Sequence, residues 1–384
     1  MKPLHLAGLN GIRAIAALAV VVSHTTIGLK EFGLDPSVSG SFEGKPKGLD
    51  LAGYGVSIFF ALSGFLITYL LLLEKDKHPI DVKKFYVRRI LRIWPLYYLY
   101  FFITLALILF YKLDFNPKLT PFYIFFAANI PAILGTPFPY FGHYWSLGVE
   151  EQFYLFWVWV VKKVKTNLLS LVVVGGIVGF MVVKLGLHFK YPNSIFETIL
   201  SLTRFHCMMI GALGAIIFFK GTSMEKENKA FFCSIGVPTE KLIDNKVAQF
   251  IGWTVIFLLA INKYRLASII DQEFISLVTV VLIIGQINIK NRIINLENTV
   301  CDFLGKISYG IYIIHPLVIL FFSKILSDLD LPIALKYPLV YGGIIGTTIL
   351  TAYLSYQYFE KYFLKLKEKF AVIRSSDTKY SGVE

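Results

Sequence analysis

An all-α, polytopic membrane bundle of about ten transmembrane helices, with the N- and C-termini cytoplasmic, is the fold class that this 384-residue sequence predicts. Three observations carry it. Hydrophobic residues make up 56% of the chain and charged residues only 16%, more apolar sequence than the core of a soluble domain needs. The apolar residues gather in runs close to the roughly 20 residues that cross a hydrocarbon layer of ~30 Å. The charge is also sorted by loop. With the N-terminus inside and the spans alternating, inner loops and tails carry 25 of the 38 Lys and Arg residues and outer segments 11. That is the positive-inside bias.

The spans are expected at 9–29, 54–73, 95–111, 145–161, 168–187, 201–219, 248–262, 272–289, 303–323 and 337–358. The first opens LNGIRAIAALAVVVSHTTI. Its start is weakly charged and no small-residue cleavage site follows, so it reads as a retained span rather than a leader. The apolar stretch from Pro121 to Leu134 is short and contains prolines, as a re-entrant or interfacial segment would. The longest polar segments are 30–53, 220–247 and 361–384, each too short for an appended catalytic domain. The expected organisation is therefore a membrane domain, 1–360, and a short basic cytoplasmic tail, 361–384. Small-xxx-small spacings at Gly175/Gly179, Gly211/Ala215 and Gly342/Gly346 suggest helix packing. No internal repeat is evident.

The formal net charge of +13 sits in membrane-flanking segments, which points to anionic lipid and away from nucleic acid. Cys207, Cys233 and Cys301 form no disulfide or zinc pattern, and no metal is expected.

Four clusters stand out because ionisable groups in a span are expensive and usually functional. Arg13 and His24 lie eleven residues apart in the first span, on one helix face and about 16 Å apart along its axis. An imidazole away from bulk water serves as a general base, and an arginine can hold phosphate or polarise a carbonyl. Alternatively, Arg13 snorkels and His24 ends a helix. The second cluster, KKFYVRRILRIWP (83–95), gathers Arg88, Arg89 and Arg92 before the third span; it is either a phosphate site or a lipid anchor. The third, HYWSLGVEEQFY (143–154), places Tyr144, Trp145, Glu150 and Glu151 at a helix start, as acceptor-binding groups or as an aromatic belt with carboxylates on a helix N-terminus. In the fourth, Ser308, Tyr312 and His315 form a polar stripe ahead of Pro316, for substrate contact or helix packing. Arg204 needs a partner, with Glu197, Glu150 or Glu151 as options.

Together the segments LNGIRAIAALAVVVSH (9–24), GYGVSIFFALSGFLI (53–67), FYVRRILRIWPLYY (85–98), HYWSLGVEEQFYLFW (143–157), TRFHCMMIGALGA (203–215) and LGKISYGIYIIHP (304–316) resemble the integral-membrane acyltransferase-3 family of bacterial O-acyltransferases, over most of the chain. The resemblance implies catalytic roles for His24, Arg13 and Glu150, and acyl-CoA binding by Arg88, Arg89 and Arg92. Tyr144, Trp145, Glu151, Arg204, Tyr312 and His315 are expected to contact substrate. Ser57 stands where many members carry Asp, and the soluble esterase-like domain of some members is not found.

The expected activity is transfer of an acyl group, commonly acetyl, from cytoplasmic acyl-CoA to a hydroxyl of a cell-surface or lipid-linked glycan. It would take place in the inner (plasma) membrane of a bacterium. The competing reading is a proton-coupled transporter or flippase for a glycan or small anion, disfavoured by the lack of repeats.

Overall fold

The computed structural model describes residues 5–38, 40–42, 44–222, 244–261, 269–326 and 332–373. The expected spans fall in helical segments, but 201–219 and 303–323 each cover two helices, broken at Arg204 and at Ile307. The first helix, α1 (Leu9–Gly28), is followed by a two-residue-stranded hairpin, Ser41–Phe42 against Lys45–Pro46, then by α2 (Leu51–Lys77) and α3 (Val82–Phe110). Two short helices, α4 (Thr120–Ile124) and α5 (Asn129–Ile133), replace a span where re-entrant structure was expected. The chain continues through α6 (Tyr144–Lys163), α7 (Thr166–Lys190), α8 (Ile195–Thr203), α9 (Phe205–Thr222), α10 (Lys246–Ala260) and α11 (Asp271–Ile287). It ends with α12 (Thr299–Lys306), α13 (Ser308–Leu326), α14 (Ile333–Ser355) and α15 (Lys361–Glu368).

Among the described residues, seven helices are long and apolar enough to cross a membrane. The other three expected spans fall short for physical reasons. Helix α10 has 15 residues and α11 has 17, while α6 carries Glu150, Glu151, Lys162 and Lys163. Cys233 and most of segment 220–247 lie outside the described residues, as do 374–384 of the tail. The boundary expected at 360/361 is no break in the fold. A π turn, Tyr356–Glu360, joins α14 to α15, and α15 packs against α3.

The most extensive seam joins α2 to α9. A Cβ on Gly64 would strike the Met208 carbonyl, and one on Gly211 the Ala61 carbonyl, so backbone meets backbone along this seam. The expected Gly211/Ala215 packing is thus present, with Gly64 as an unanticipated counterpart. Gly175, Gly179, Gly342 and Gly346 differ: among the described residues no atom of a neighbouring element lies within 4 Å of where their Cβ would sit. Small residues permit close approach but do not require it.

The α2–α3 turn is held by one buried carboxylate. Glu74 accepts from the Asp81 amide at 2.8 Å and from Arg88 at 3.2 Å, and is only 1% exposed. Asp81 caps α3 by accepting from the Lys84 amide at 3.0 Å, a bond that holds its carboxyl below the usual carboxylate range. Pro95 and Pro316 both lie inside continuous helices; each removes one intrahelical bond without ending the helix.

The seam generates a contrast. Gly64→Ala forces a Cβ into backbone and is expected to cost at least about 1–3 kcal/mol, the range for overpacking. Gly179→Ala, on an open helix face, is expected to be neutral or to gain up to about 1 kcal/mol. Thermal unfolding of the two variants in one detergent checks the difference.

Candidate active site

Helices α1, α2, α3, α6 and α13 enclose a cavity of about 770 Å³, its open mouth included. Arg13 reaches it from α1, Ser63 from α2, Arg89 and Arg92 from α3, Glu150 and Tyr154 from α6, and Ser308, Tyr309 and Tyr312 from α13. Arg13 is steered by Asn10, whose Oδ1 accepts from it at 3.1 Å, and Asn10 in turn donates to Asp302 of α12 at 3.2 Å. The α1–α12 approach is close because Gly305 has no Cβ to strike the Asn10 backbone.

Glu150 accepts from the hydroxyls of Ser63 and Tyr154. The Arg89 guanidinium lies 5.6 Å from the Tyr154 ring centroid and 5.9 Å from that of Phe85, and its Nε has no hydrogen-bond partner among the described residues. The cavity therefore presents three guanidiniums and one carboxylate between apolar walls. Such a site suits a polyanion with an apolar or neutral arm.

The Tyr312 hydroxyl forms one side of this cavity, 2.5 Å from the Ser146 hydroxyl, and donates to the His143 carbonyl at 3.1 Å. Beyond it lie three imidazoles. His24 Nδ1 is 2.7 Å from His315 Nε2. The ring of His143 stands edge-on to that of His315, with centroids 5.4 Å apart. His315 and His143 are buried, at 0% and 2% exposure, whereas His24 is half-buried. Among the described residues no group of three His, Cys, Asp or Glu side chains is arranged to hold a metal.

The structure thus divides the residues singled out in the sequence. Arg13, Arg89, Arg92, Glu150 and Tyr312 share the cavity; His24 and His315 pair with each other. Glu150 keeps company with the arginines rather than with His24, because it sits two turns further along α6 than His143. Arg88 faces elsewhere: it is consumed by Glu74 and by the Phe370 carbonyl at 3.0 Å, so its role here is to tie α3 to the α2–α3 turn and to the chain beyond α15.

Tyr144 also has no face left for a substrate. It is fully buried, donates to the Tyr97 carbonyl at 2.7 Å and stacks among Tyr97, Tyr100 and Phe141. Glu151 accepts from the Trp94 indole at 3.3 Å and does not line the cavity. Trp145 packs edge-on to Phe60 and beneath the Arg204 guanidinium, 5.1 Å from its ring centroid.

Arg204 takes none of its expected partners. It donates to the Gly53 carbonyl at 3.1 Å and to Ser57 Oγ at 3.3 Å, while Glu197 binds His188 at 2.6 Å. Some features escaped sequence reasoning. His143 and Tyr154, inside the third cluster but given no role there, and Ser63 join the site through contacts across helices. A buried network in which Glu273 accepts from Lys184 at 2.6 Å and lies 2.8 Å from His206 Nε2 bridges α7, α9 and α11; Glu273 is 89 residues from Lys184 and 67 from His206 along the chain, with no local signal linking them.

Comparison with known proteins follows the same lines. A family model described as an acyltransferase domain matches residues 6–357. A Staphylococcus aureus (strain COL) protein named as a putative O-acetyltransferase is 27% identical over 386 residues, 95% of this chain and 58% of the relative. The O-acetyltransferase OatA of Staphylococcus aureus (strain NCTC 8325 / PS 47) is 24% identical over 94% of this chain and 57% of its own length. The peptidoglycan O-acetyltransferase OatA of Listeria monocytogenes is 28% identical over 170 residues, 40% of this chain and 24% of its own. The chain spans rather more than half the length of the relatives that it matches end to end. No solved structure matches it. With the match running through α1 to α14, the chain belongs to the acyltransferase-3 family.

Proposed function

We propose that this chain transfers an acetyl group from acyl-CoA on the cytoplasmic side to a hydroxyl of a cell-envelope glycan, with His24 as general base. The observation that carries the reading is the cavity itself. It collects Arg13, Arg89 and Arg92 around one space and stops at Tyr312, one helical turn along α13 from the His315 partner of His24. A phosphate-rich thioester donor needs several guanidiniums, and its acyl end needs a base held away from bulk water. Acetyl is favoured by the names of the relatives, and a glycan acceptor by the peptidoglycan named for the Listeria protein.

The orientation rests on charge. Segment 75–92, which leads into the Arg89–Arg92 end of the cavity, carries seven Lys and Arg residues and is assigned to the cytoplasm, with both termini, by the positive-inside rule. All ten expected segments cross the plasma membrane in this reading. Arg13 or the Tyr312 hydroxyl supplies the donor to a developing oxyanion; Glu150, held by Ser63 and Tyr154, orients the donor or the arginines. The acceptor side, near Arg204 and Trp145, faces outward.

Two outcomes are expected. His24→Ala lowers acyl transfer by about 10²–10⁴-fold, the usual worth of a general base, with protein level and membrane insertion unchanged; base-labile ester on the envelope glycan of a complemented deletion strain reads this out. Arg92→Ala loses a charge-assisted contact of about 1.5–3 kcal/mol and raises the KM for acyl-CoA by roughly ten- to a hundredfold. Arg88→Ala, by contrast, leaves that KM unchanged and lowers the thermal midpoint, because Glu74 is left buried without its cation.

A further inference from the structure

We infer that His315 is a positioning residue that fixes the tautomer of His24, so that Nε2 of His24 is the nitrogen that takes the proton. The inference rests on His24 being the general base. It follows from a chain of three groups whose hydrogen-bond roles can be assigned in order. The Ile311 carbonyl can only accept, and it lies 3.2 Å from His315 Nδ1; that nitrogen therefore carries hydrogen.

A second proton on His315 would make a cation that is 0% exposed, with no carboxylate paired to it among the described residues. A buried unpaired charge of that kind is strongly disfavoured. His315 is therefore neutral, and its Nε2 holds a lone pair. That Nε2 is 2.7 Å from His24 Nδ1, so His24 must donate from Nδ1. Its remaining nitrogen, Nε2, is left as the acceptor.

The polar groups around the pair do not disturb this order. His143, just before α6, has its ring centroid 5.4 Å from that of His315, and neither of its ring nitrogens has a hydrogen-bond partner among the described residues. Tyr312 and Ser146 bond to each other and to the His143 carbonyl. Arg13, the other ionisable group on α1, lines the cavity.

The arrangement does for His24 what a carboxylate does for the histidine of a hydrolase triad. The acceptor hydroxyl gives its proton to His24 Nε2 as its oxygen bonds to the acyl carbon of the thioester. The C–S bond then breaks, and the thiolate leaves with the proton that Nε2 returns. While His24 is an imidazolium, its Nδ1–H stays directed at the His315 lone pair. A neutral acceptor in an apolar surrounding orients the ring and stabilises the transient charge, without the cost of burying a permanent anion.

The test uses membranes containing the full chain, supplied with radiolabelled acetyl-CoA, and counts base-labile label on the endogenous envelope glycan as donor concentration is varied. His315→Leu is expected to lower the maximal rate by about a hundredfold with the KM for acetyl-CoA unchanged. His315→Gln, whose carbonyl can accept the Nδ1–H, is expected to recover most of it. A leucine variant as fast as wild type, or a glutamine variant as slow as the leucine one, overturns the inference. If His24→Ala is itself fully active, the general-base reading falls instead; if His24→Ala is inactive while His315→Leu is normal, the tautomer assignment alone falls. A measurement on the wild-type fold guards against misfolded variants. The ¹⁵N shifts of His24, assigned by their loss in His24→Ala, should show the Nδ1–H form, and an Nε2–H form overturns the assignment.

Discussion

An ion inside a helical membrane bundle must find an opposite charge, a set of polar acceptors or water, because hydrocarbon offers none of these. That constraint sorts every charged side chain in this fold. Lys184, Glu273 and His206 satisfy one another across three helices, and Arg88 is satisfied by Glu74 and a carbonyl. Arg204 is satisfied by neutral oxygens and the face of Trp145. Each of these has protein partners close by and works as a strut. Arg13, Arg89, Arg92 and Glu150 are different: they border empty space. A bundle that keeps three guanidiniums around a cavity retains a site for something anionic, and this division separates scaffold from chemistry more sharply than residue type does.

The space exists because other parts of the bundle are unusually tight. Along α2 and α9 the backbones touch at Gly64 and Gly211, and along α1 and α12 they touch at Gly305. Gly55 likewise lets α2 approach the Ala16 carbonyl of α1. The large aromatics of α3 and α6, such as Tyr97, Tyr144 and Trp157, are buried, and the Trp157 indole donates to Thr68 of α2 at 2.8 Å. The polar cavity opens among α1, α2, α3, α6 and α13.

Much of this was legible in the sequence. Hydrophobic run length located most of the long helices, since burial of backbone in lipid demands continuous helix, but it missed that α3 begins at Val82 and that the helix breaks at Arg204 and Ile307. The segment from Pro121 to Leu134 was recognisable as something other than a span because its length and prolines forbid one. What one dimension could not show was rotation. Arg88 and Arg89 are adjacent, yet about 100° apart around α3, so one binds Glu74 and the other borders the cavity. Glu150 and Glu151 part company in the same way. The pairing of His24 with His315 joins positions 291 residues apart, and His143 enters the cluster from a third helix. Periodicity assigns a face to each residue but does not say which faces meet. The Gly175, Gly179, Gly342 and Gly346 positions make the same point in reverse, being packing motifs that the fold leaves open.

The depths of the two polar centres give the reading its physical logic. A donor bearing phosphates is best held where several cations remain partly hydrated, whereas proton transfer is best done where water is scarce and dipoles are fixed. One site cannot meet both demands. Here the arginines line a cavity with an open mouth, and the imidazoles lie beyond Tyr312, where His315 is fully buried. Tyr312 and Ser146 line the cavity with their hydroxyls 2.5 Å apart, and the Tyr312 ring also neighbours those of His143 and His315. Under the proposed function an acyl thioester suits this arrangement, because its charged portion is remote from its reactive carbonyl: the phosphates would stay among Arg13, Arg89 and Arg92 while the acyl end is presented toward the imidazoles, and no anion would be drawn into the drier half.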